Sequence, residues 1–281
     1  MAYFSNKISL ITGAASGIGR LMSVKIAARG AHVILWDIDD TGLKTVAEEI
    51  ARAGNKVTTY HCDVTDREIV YKTAEQVNND VGKVDILINN AGIVSGKPFL
   101  ECTDEVLQRT MAVNTLAHFW TVKTFLPEMI RANSGHIVTI ASAGGILGTA
   151  GLVDYSASKF AAFGFDEALR AELKKQRLNI HTTVVCPYFI KSEMFAGVKT
   201  RFSFLLPILE PYYVSERIVK AIARKKRRVV MPALVYATWL LRLLPVDTLD
   251  WVATLLGVHS AMDEFHGRGS PRDSGQQTAS C

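Results

Sequence analysis

Tyr155 and Lys159 stand four residues apart in Tyr155-Ser-Ala-Ser-Lys159, and Ser142 stands thirteen residues before the tyrosine. On a helix that spacing puts the phenol and the ammonium on one face. A cation beside a phenol stabilises the phenolate and depresses a pKa that is about 10 when unperturbed, which predicts a tyrosine able to give and take a proton. Ser142 follows the apolar run Ile137-Val-Thr-Ile-Ala141, which reads as a buried strand. Its hydroxyl would emerge at that strand's carboxyl end, where ligands of open α/β sheets gather. Taken alone, Tyr155 would be a packing residue and Ser142 a strand-end cap; Lys159 and the spacing change the weight.

The glycine-rich segment Thr12-Gly-Ala-Ala-Ser-Gly-Ile-Gly19 follows a strand pattern and opens a helix pattern. Backbone N–H groups in that context can approach a pyrophosphate at a helix N-terminus. The expected cofactor contacts there are Gly13, Ser16, Gly17, Ile18 and Gly19. The spacing Gly-x-x-x-Gly-x-Gly differs from the commonest dinucleotide fingerprint, and a tight strand-to-helix turn would use the same glycines. A second strand ends at Trp36-Asp37, eighteen residues after Gly19. A carboxylate at that place accepts hydrogen bonds from adenosine ribose hydroxyls and repels a 2'-phosphate, which favours NAD over NADP. The competing role for Asp37 is a helix N-cap or turn residue, and Arg20, or an Asp37 rotated away, would still admit NADP.

The elements that must position these groups alternate along the chain. Apolar, β-branched runs read as strands over 7–12, 32–36, 56–60, 84–89, 136–141, 180–186 and 229–232, separated by helical periodicity over 18–29, 42–53, 68–80, 105–131, 156–176 and 215–224. Such alternation predicts a doubly wound, Rossmann-like seven-stranded parallel sheet with helices on both faces. One catalytic domain is expected over 1–266, with its core at 7–232. An irregular aromatic stretch at 188–213 has the length of a lid. The segment 233–266 reads as an apolar, helical C-terminal extension: Pro232 and Pro245 bracket a run too short for the about 20 residues of a bilayer span. It suits a lid, a subunit contact, core packing or, less favoured, a membrane surface. The polar composition of 267–281 reads as a disordered tail.

With 281 residues and 48% hydrophobic content the chain can bury a full core, and a net charge of +5 specifies neither nucleic acid nor lipid as partner. Arg224-Lys-Lys-Arg-Arg228 reads first as a solvated helix end. Cys62, Cys102, Cys186 and Cys281 lack metal-ligand spacing, His32, His61, His118, His136 and His181 lie in core-like segments, and no metal is expected. The N-terminus has no basic head and apolar core of a signal peptide, so a cytoplasmic location is expected.

Thr12-Gly-x-x-x-Gly-Ile-Gly19, Asn89-Asn-Ala-Gly92, Ser142 and Tyr155-x-x-x-Lys159 together resemble the short-chain dehydrogenase/reductase superfamily, over roughly residues 7–232. Leu35-Trp-Asp-Ile38, Ala117-His-Phe-Trp120 and Leu209-Glu-Pro211 look like the branch that includes retinol and 17β-hydroxysteroid dehydrogenases. The resemblance implies that Tyr155 is the general acid and base, that Lys159 lowers its pKa and binds the nicotinamide ribose, and that Ser142 holds the substrate oxygen. It implies that Asn114 holds a water joining the lysine to solvent, that Asp63 and Val64 contact adenine, and that Asn90 and Gly92 line the cofactor cleft. Ile190 and Ser192 match positions that bind the carboxamide and present the nicotinamide's pro-S face. It also implies a homodimer or homotetramer formed through the helices of Asn114 and Tyr155. Asn89 and Asn90 could instead be turn formers, and Asn114 a helix-interior amide. Where many relatives have Pro-Gly, this chain has Pro187-Tyr188-Phe189, which would place a large ring beside the nicotinamide end of the site and narrow or redirect the substrate pocket.

The expected function is therefore an NAD(P)-dependent oxidoreductase interconverting an alcohol and its ketone or aldehyde. The aromatic stretch and the apolar extension predict a bulky apolar substrate. The alternative is a lipid-surface or interaction protein that retains nucleotide binding.

Overall fold

Seven strands form one parallel sheet in the computed structural model, which describes residues 3–267. They are β1 (Ile8–Thr12), β2 (His32–Asp37), β3 (Val57–His61), β4 (Ile86–Asn89), β5 (Gly135–Ile140), β6 (Ile180–Pro187) and β7 (Arg228–Met231), in the order β3-β2-β1-β4-β5-β6-β7. The central strands are apolar on both faces because both are covered. Leu10, Ile34, Ile86 and Leu87 are fully buried, and each such side chain contributes about 1.5–3 kcal/mol relative to exposure. Helices α1 (Gly17–Ala27), α2 (Asp40–Arg52) and α7 (Pro211–Ala223) supply the core of one face; α3 (Arg67–Asp80), α5 (Ala117–Arg131) and α6 (Val153–Lys175) supply the other.

The strand order reverses between β1 and β4, and a crevice opens there at the carboxyl ends, as the doubly wound fold requires. Its two sides are stitched together. Thr12 Oγ1 accepts from the backbone N–H groups of Asn90 and Ala91, both at 3.0 Å, and Asn90 Nδ2 donates to the carbonyls of Thr12 and Gly13 at 2.9 and 3.0 Å. Asn90 is thus more than a turn former.

The helix expected over 105–131 is two helices, α4 (Asp104–Met111) and α5, joined by a π-helical turn at Ala112–Leu116. Hydrophobic periodicity continues across such a bulge, so the sequence pattern does not register it, and π-bulges recur at functional sites. The helix expected from 215 begins four residues earlier, with Pro211 at its first turn, where a missing N–H costs nothing.

Between β6 and α7 the chain is irregular, with one 3-10 turn at Glu193–Phe195 and an isolated bridge from Ile190 to Leu209 that closes the loop on itself. After β7 come a 3-10 turn (Ala233–Tyr236), α8 (Ala237–Leu241) and α9 (Val246–Leu255). Residues 258–267 then strap the loop down. His266 N donates to Ala196 O at 3.1 Å, Lys199 N to Ala261 O at 3.2 Å, and Lys199 pairs with Glu264. The tail expected at 267–281 lies, past Gly267, outside the described residues.

The basic run divides. Arg224 to Arg227 are exposed at the amino end of β7, while Arg228 pairs with Glu167 at 2.6 Å and stacks on Phe163 and Trp239. The apolar extension leaves the opposite end of that strand, so the two features flank β7 rather than sharing a patch.

Candidate active site

One cavity of about 860 Å³ runs along the carboxyl ends of the strands. Gly13, Ser16, Gly17, Ile18, Gly19, Asp37, Asp63, Val64, Asn90, Gly92, Ser142, Tyr155, Lys159, Tyr188, Ile190 and Ser192 all line it. Of the residues singled out in the sequence, Asn114 does not, being fully buried behind the wall.

At one end the glycine turn meets the start of α1. Gly17 has φ +56°, and a Cβ there would meet nothing within 4 Å, so its face opens on the cleft. A Cβ on Gly19 would collide with the Gly13 carbonyl oxygen. Gly19→Ala is therefore expected to cost about 1–3 kcal/mol of stability and to weaken dinucleotide binding. A thermal melt with and without cofactor checks both; an unchanged Tm and unchanged cofactor shift would refute the packing argument.

Asp37 is fixed by three backbone donors: Ala15 N to Oδ2 at 2.9 Å, and Ile38 N and Asp39 N to Oδ1 at 2.8 and 3.1 Å. The N-cap of α2 is Asp39, whose side chain accepts from Gly42 N. Asp37 is thus not the cap, and its carboxylate is held against rotation at the edge of the cavity. Arg20 is occupied by Glu49 through Nε and a terminal nitrogen at 3.0 and 2.7 Å. Asp63 is pinned by Thr65, whose N and Oγ1 donate to Oδ1 at 2.9 and 2.7 Å. A helix N-terminus, a turn with glycine at 13, 17 and 19 and a fixed carboxylate one strand away fit a dinucleotide's pyrophosphate and ribose.

Halfway along the cavity the chemical groups converge. Ser142 is the N-cap of the 3-10 turn Ala143–Gly145: Gly144 N donates to its Oγ at 3.0 Å. That bond occupies a lone pair and leaves the Ser142 hydroxyl proton for another acceptor; Pro187 O lies at 3.5 Å. Cap and functional group are here the same atom. Tyr155 and Lys159 lie on α6 and are both buried. Lys159 Nζ donates to Ile140 O at 2.9 Å and stands 5.8 Å from the Tyr155 ring centroid.

The expected lowering of the Tyr155 pKa by Lys159 is not what the protein alone produces. Burial pushes the Tyr155 phenol up to about 12, against a hydrogen bond with Ser142 that lowers it. Burial likewise pulls the Lys159 ammonium down to about 8. Desolvation disfavours the charged form of each group and is the largest cause of both shifts. Tyr155 is accordingly a protonated acid at neutral pH.

Asn114, in the π turn, is not bonded to its own helix. Its Oδ1 accepts from Ile93 N at 2.8 Å, and its Nδ2 donates to Ile93 O and Ser158 Oγ at 2.9 and 3.0 Å. Ser158 Oγ in turn donates to Tyr155 O at 2.7 Å. A Cβ built on Gly92 would lie 3.3 Å from Asn114 Oδ1 and 3.4 Å from Lys159 Nζ, so amide and ammonium approach one spot. The amide thereby ties the 92–93 loop to α6 behind the tyrosine.

Two contributors went unnoticed in the sequence. Asp154 accepts from Ser95 Oγ and Thr110 Oγ1 at 2.7 and 2.8 Å, fixing the loop and α4 beside Tyr155; its position immediately before the tyrosine was the available signal. Ala261, Met262 and Phe265 pack in the cluster that contains Tyr155 and Phe189, and no short-range pattern marks them. The ring expected at Tyr188 does face the cavity, and Phe189 and Phe195 make edge contacts at 5.3 Å beside it.

Beyond Tyr155 the cavity wall is apolar and drawn from α8 and α9, with Leu241, Leu249, Val252 and Ala253 among its residues. Residues 7–201 match the short chain dehydrogenase family. The chain belongs to that family. Human epidermal retinol dehydrogenase 2 is 48% identical over 93% of this chain and 85% of its own length. Retinol dehydrogenase 10-B of Danio rerio is 41% identical over 92% of this chain and 84% of its own. A short chain dehydrogenase/reductase of Burkholderia phymatum in complex with NAD superimposes with a TM-score of 0.78 at 26% identity, over 86% of this chain and 95% of that one. A metagenomic short-chain oxidoreductase in complex with NADP gives 0.70 at 26% identity, over 82% and 98%. This short-chain dehydrogenase is an NAD(P)-dependent oxidoreductase that interconverts an alcohol and its carbonyl compound on an apolar substrate.

Proposed function

We propose that this dehydrogenase acts on a long, apolar, retinoid-like primary alcohol and its aldehyde, with NAD preferred over NADP. One observation carries the substrate class: the wall beyond Tyr155 is formed by aliphatic side chains of α8 and α9, a surface suited to a hydrocarbon chain. The names of the relatives, retinol dehydrogenases at 48% and 41% identity, point the same way. Turnover of retinoids, steroids and bulky aryl ketones, followed by cofactor absorbance, tests it. Highest kcat/KM on the retinoid is expected; confinement to short hydrophilic alcohols would overturn it.

In this mechanism Ser142 donates a hydrogen bond to the substrate oxygen, and Tyr155 Oη delivers a proton to it in reduction or removes one in oxidation. The bound nicotinamide supplies or accepts the hydride. Lys159, anchored on Ile140 O, holds its positive charge where the phenolate forms and binds the nicotinamide ribose. Asn114 keeps the 92–93 loop and α6 in register and holds a water beside Lys159. When the dinucleotide is bound, Ile190 and Ser192 would hold the carboxamide and Asp63 and Val64 the adenine, with Asn90 and Gly92 lining the cleft.

The pH dependence follows from burial. Lys159 is charged below about 8 and neutral above it, so the phenolate left after proton donation loses its countercharge as pH rises. Carbonyl reduction is expected to be level on the acid side and to decline above about 8. A reduction rate that climbs through that pH would exclude this role for Lys159.

NAD preference rests on the fixed Asp37 carboxylate and the occupied Arg20. Repulsion between unit charges about 4 Å apart is about 1 kcal/mol in water and about 4 kcal/mol near a protein surface. Asp37→Ser, which keeps a hydroxyl for the Ile38 N–H, is expected to raise kcat/KM with NADPH by roughly 10- to 100-fold within that range. No gain with NADPH would sink the assignment.

A homodimer or homotetramer through α5 and α6 is supported by the exposed Leu116, Phe119 and Val153. Phe119→Glu is expected to shift sedimentation toward the monomer; an unchanged coefficient would place the contact elsewhere. A cytoplasmic location is supported by free thiols at Cys62, Cys102 and Cys186; protection of the folded chain from protease in plasma-membrane-permeabilised cells would oppose it.

A further inference from the structure

Met262 and Phe265 join three parts of the chain that border the reacting centre. They pack in one cluster with Val94 of the loop after β4, Tyr155 near the start of α6, and Phe195 of the loop after β6. Two of those loops receive the segment at glycines. Gly96 has φ +63°, and a Cβ there would occupy the place of the Phe265 ring. Gly197 has φ +88°, and a Cβ there would collide with the Glu264 carbonyl oxygen. Left-handed backbone and close approach coincide at both positions, the conditions under which glycine is the default residue. The loop after β4 depends on such contacts. Among the described residues, 93–96 make no backbone-to-backbone hydrogen bond. Side chains tie this loop instead: Asn114 accepts from Ile93 N at 2.8 Å, Asp154 accepts from Ser95 Oγ at 2.7 Å, and Phe265 sits on Gly96.

We propose that Phe265 is a positioning residue for the reaction: seated on Gly96, its ring fixes the 93–96 loop against α6 and so sets where Tyr155 stands relative to the cofactor cleft. The inference rests on the reading of Tyr155 as the general acid and base. Two links carry position from the ring to the chemistry. Ser95, next to Gly96, donates to the buried Asp154 carboxylate, which immediately precedes Tyr155. Gly92, at the other end of the loop, lines the cavity, and a Cβ there would lie 3.4 Å from Lys159 Nζ. Phe195 adds a contact from the far side, its ring meeting that of Tyr155 edge-on at 5.9 Å. Neither Met262 nor Phe265 is among the residues lining the cavity, so Phe265 acts on turnover through the groups that do line it. Backbone bonds bracket the ring: Lys199 N donates to Ala261 O at 3.2 Å and His266 N to Ala196 O at 3.1 Å. They keep the segment in place when the ring alone is removed.

The test compares F265A, F265L, G96A and G96A/F265A as full chains, in reduction of retinal and of a short water-soluble aldehyde, with cofactor titration and hydrogen exchange at residues 93–96. F265A is expected to lower kcat on both substrates by roughly 10- to 100-fold, the effect of a misplacement of about 1 Å, while KM and cofactor Kd stay within about threefold and exchange at 93–96 rises. Leucine fills most of the same space, so F265L should recover most of the rate. G96A should match F265A, because its methyl group evicts the ring, and the double variant should be no slower than F265A, where the ring is already gone. A kcat for F265A within about twofold of the native value would overturn the proposal, as would losses that multiply in the double variant. A loss confined to KM for retinal would also overturn it, making Phe265 part of the substrate wall. Unchanged exchange beside intact native turnover would reject the seat and leave the enzyme assignment standing. Raised exchange in F265A, beside a Tyr155→Phe variant that keeps its rate, would reject Tyr155 as the acid and with it this role for Phe265.

Discussion

Tyr155→Phe is expected to reduce kcat by about 10²- to 10⁴-fold, the range for a positioned general acid or base, while cofactor affinity stays within a few-fold. The substitution removes one oxygen and keeps the ring. That ring meets Phe195 edge-on at 5.9 Å and packs with Leu152, Phe189 and Met262, so the local structure survives. The lost hydrogen bond to Ser142 costs about 1 kcal/mol of stability. Lys159 keeps its anchor on Ile140 O, so the ribose contact persists. Stopped-flow measurement of hydride transfer, with cofactor fluorescence titration on the same preparation, separates the two effects. A rate within threefold of the native enzyme would remove Tyr155 from the chemistry.

Ser142→Ala is expected to lower kcat by about 10²- to 10³-fold, the cost of removing one donor aimed at a developing oxyanion. The distinction from Tyr155 lies in the cap. Ser142 Oγ accepts from Gly144 N, so alanine also leaves the Gly144 N–H of the 143–145 turn without its acceptor. Loss of such a cap costs about 0.5–2 kcal/mol, which a melt would register. Ser142→Thr retains both the acceptor and the donor. Recovery of most of the rate in the threonine variant, together with recovery of Tm, is the expected outcome. Recovery of Tm without recovery of rate would assign Ser142 to the turn alone.

The two tyrosine neighbours illustrate how far residue types by themselves go. Spacing placed Tyr155 and Lys159 on one helical face, and they do share it. The sign of the tyrosine's pKa shift went the other way, because burial raises it, and the cluster around the ring includes Phe189, Val198, Ala261 and Met262 from distant parts of the chain. Of the buried residues packed with Tyr155, only Leu152 is near it in the chain. Asn114 is similar. Its residue type and place on a helix were legible, whereas its partners Ile93 and Ser158 arise from the π turn and from the packing of α6 against that turn.

By itself the sequence determined the alternation of strand and helix, the glycine turn, the carboxylate at the end of β2 and the order of Ser142, Tyr155 and Lys159, because each depends on local periodicity or on residues a few positions apart. Tertiary structure alone decided the rest: that Asp39 rather than Asp37 caps α2, that Asn90 clips β4 to the glycine turn, and that Arg228 leaves the basic run to pair with Glu167. It also decided that α8 and α9 turn one apolar face to the cavity and the other outward. Hydropathy records that a side chain is apolar but not what it meets, and desolvation, hydrogen-bond partners and exposure are properties of residues brought together from distant parts of the chain.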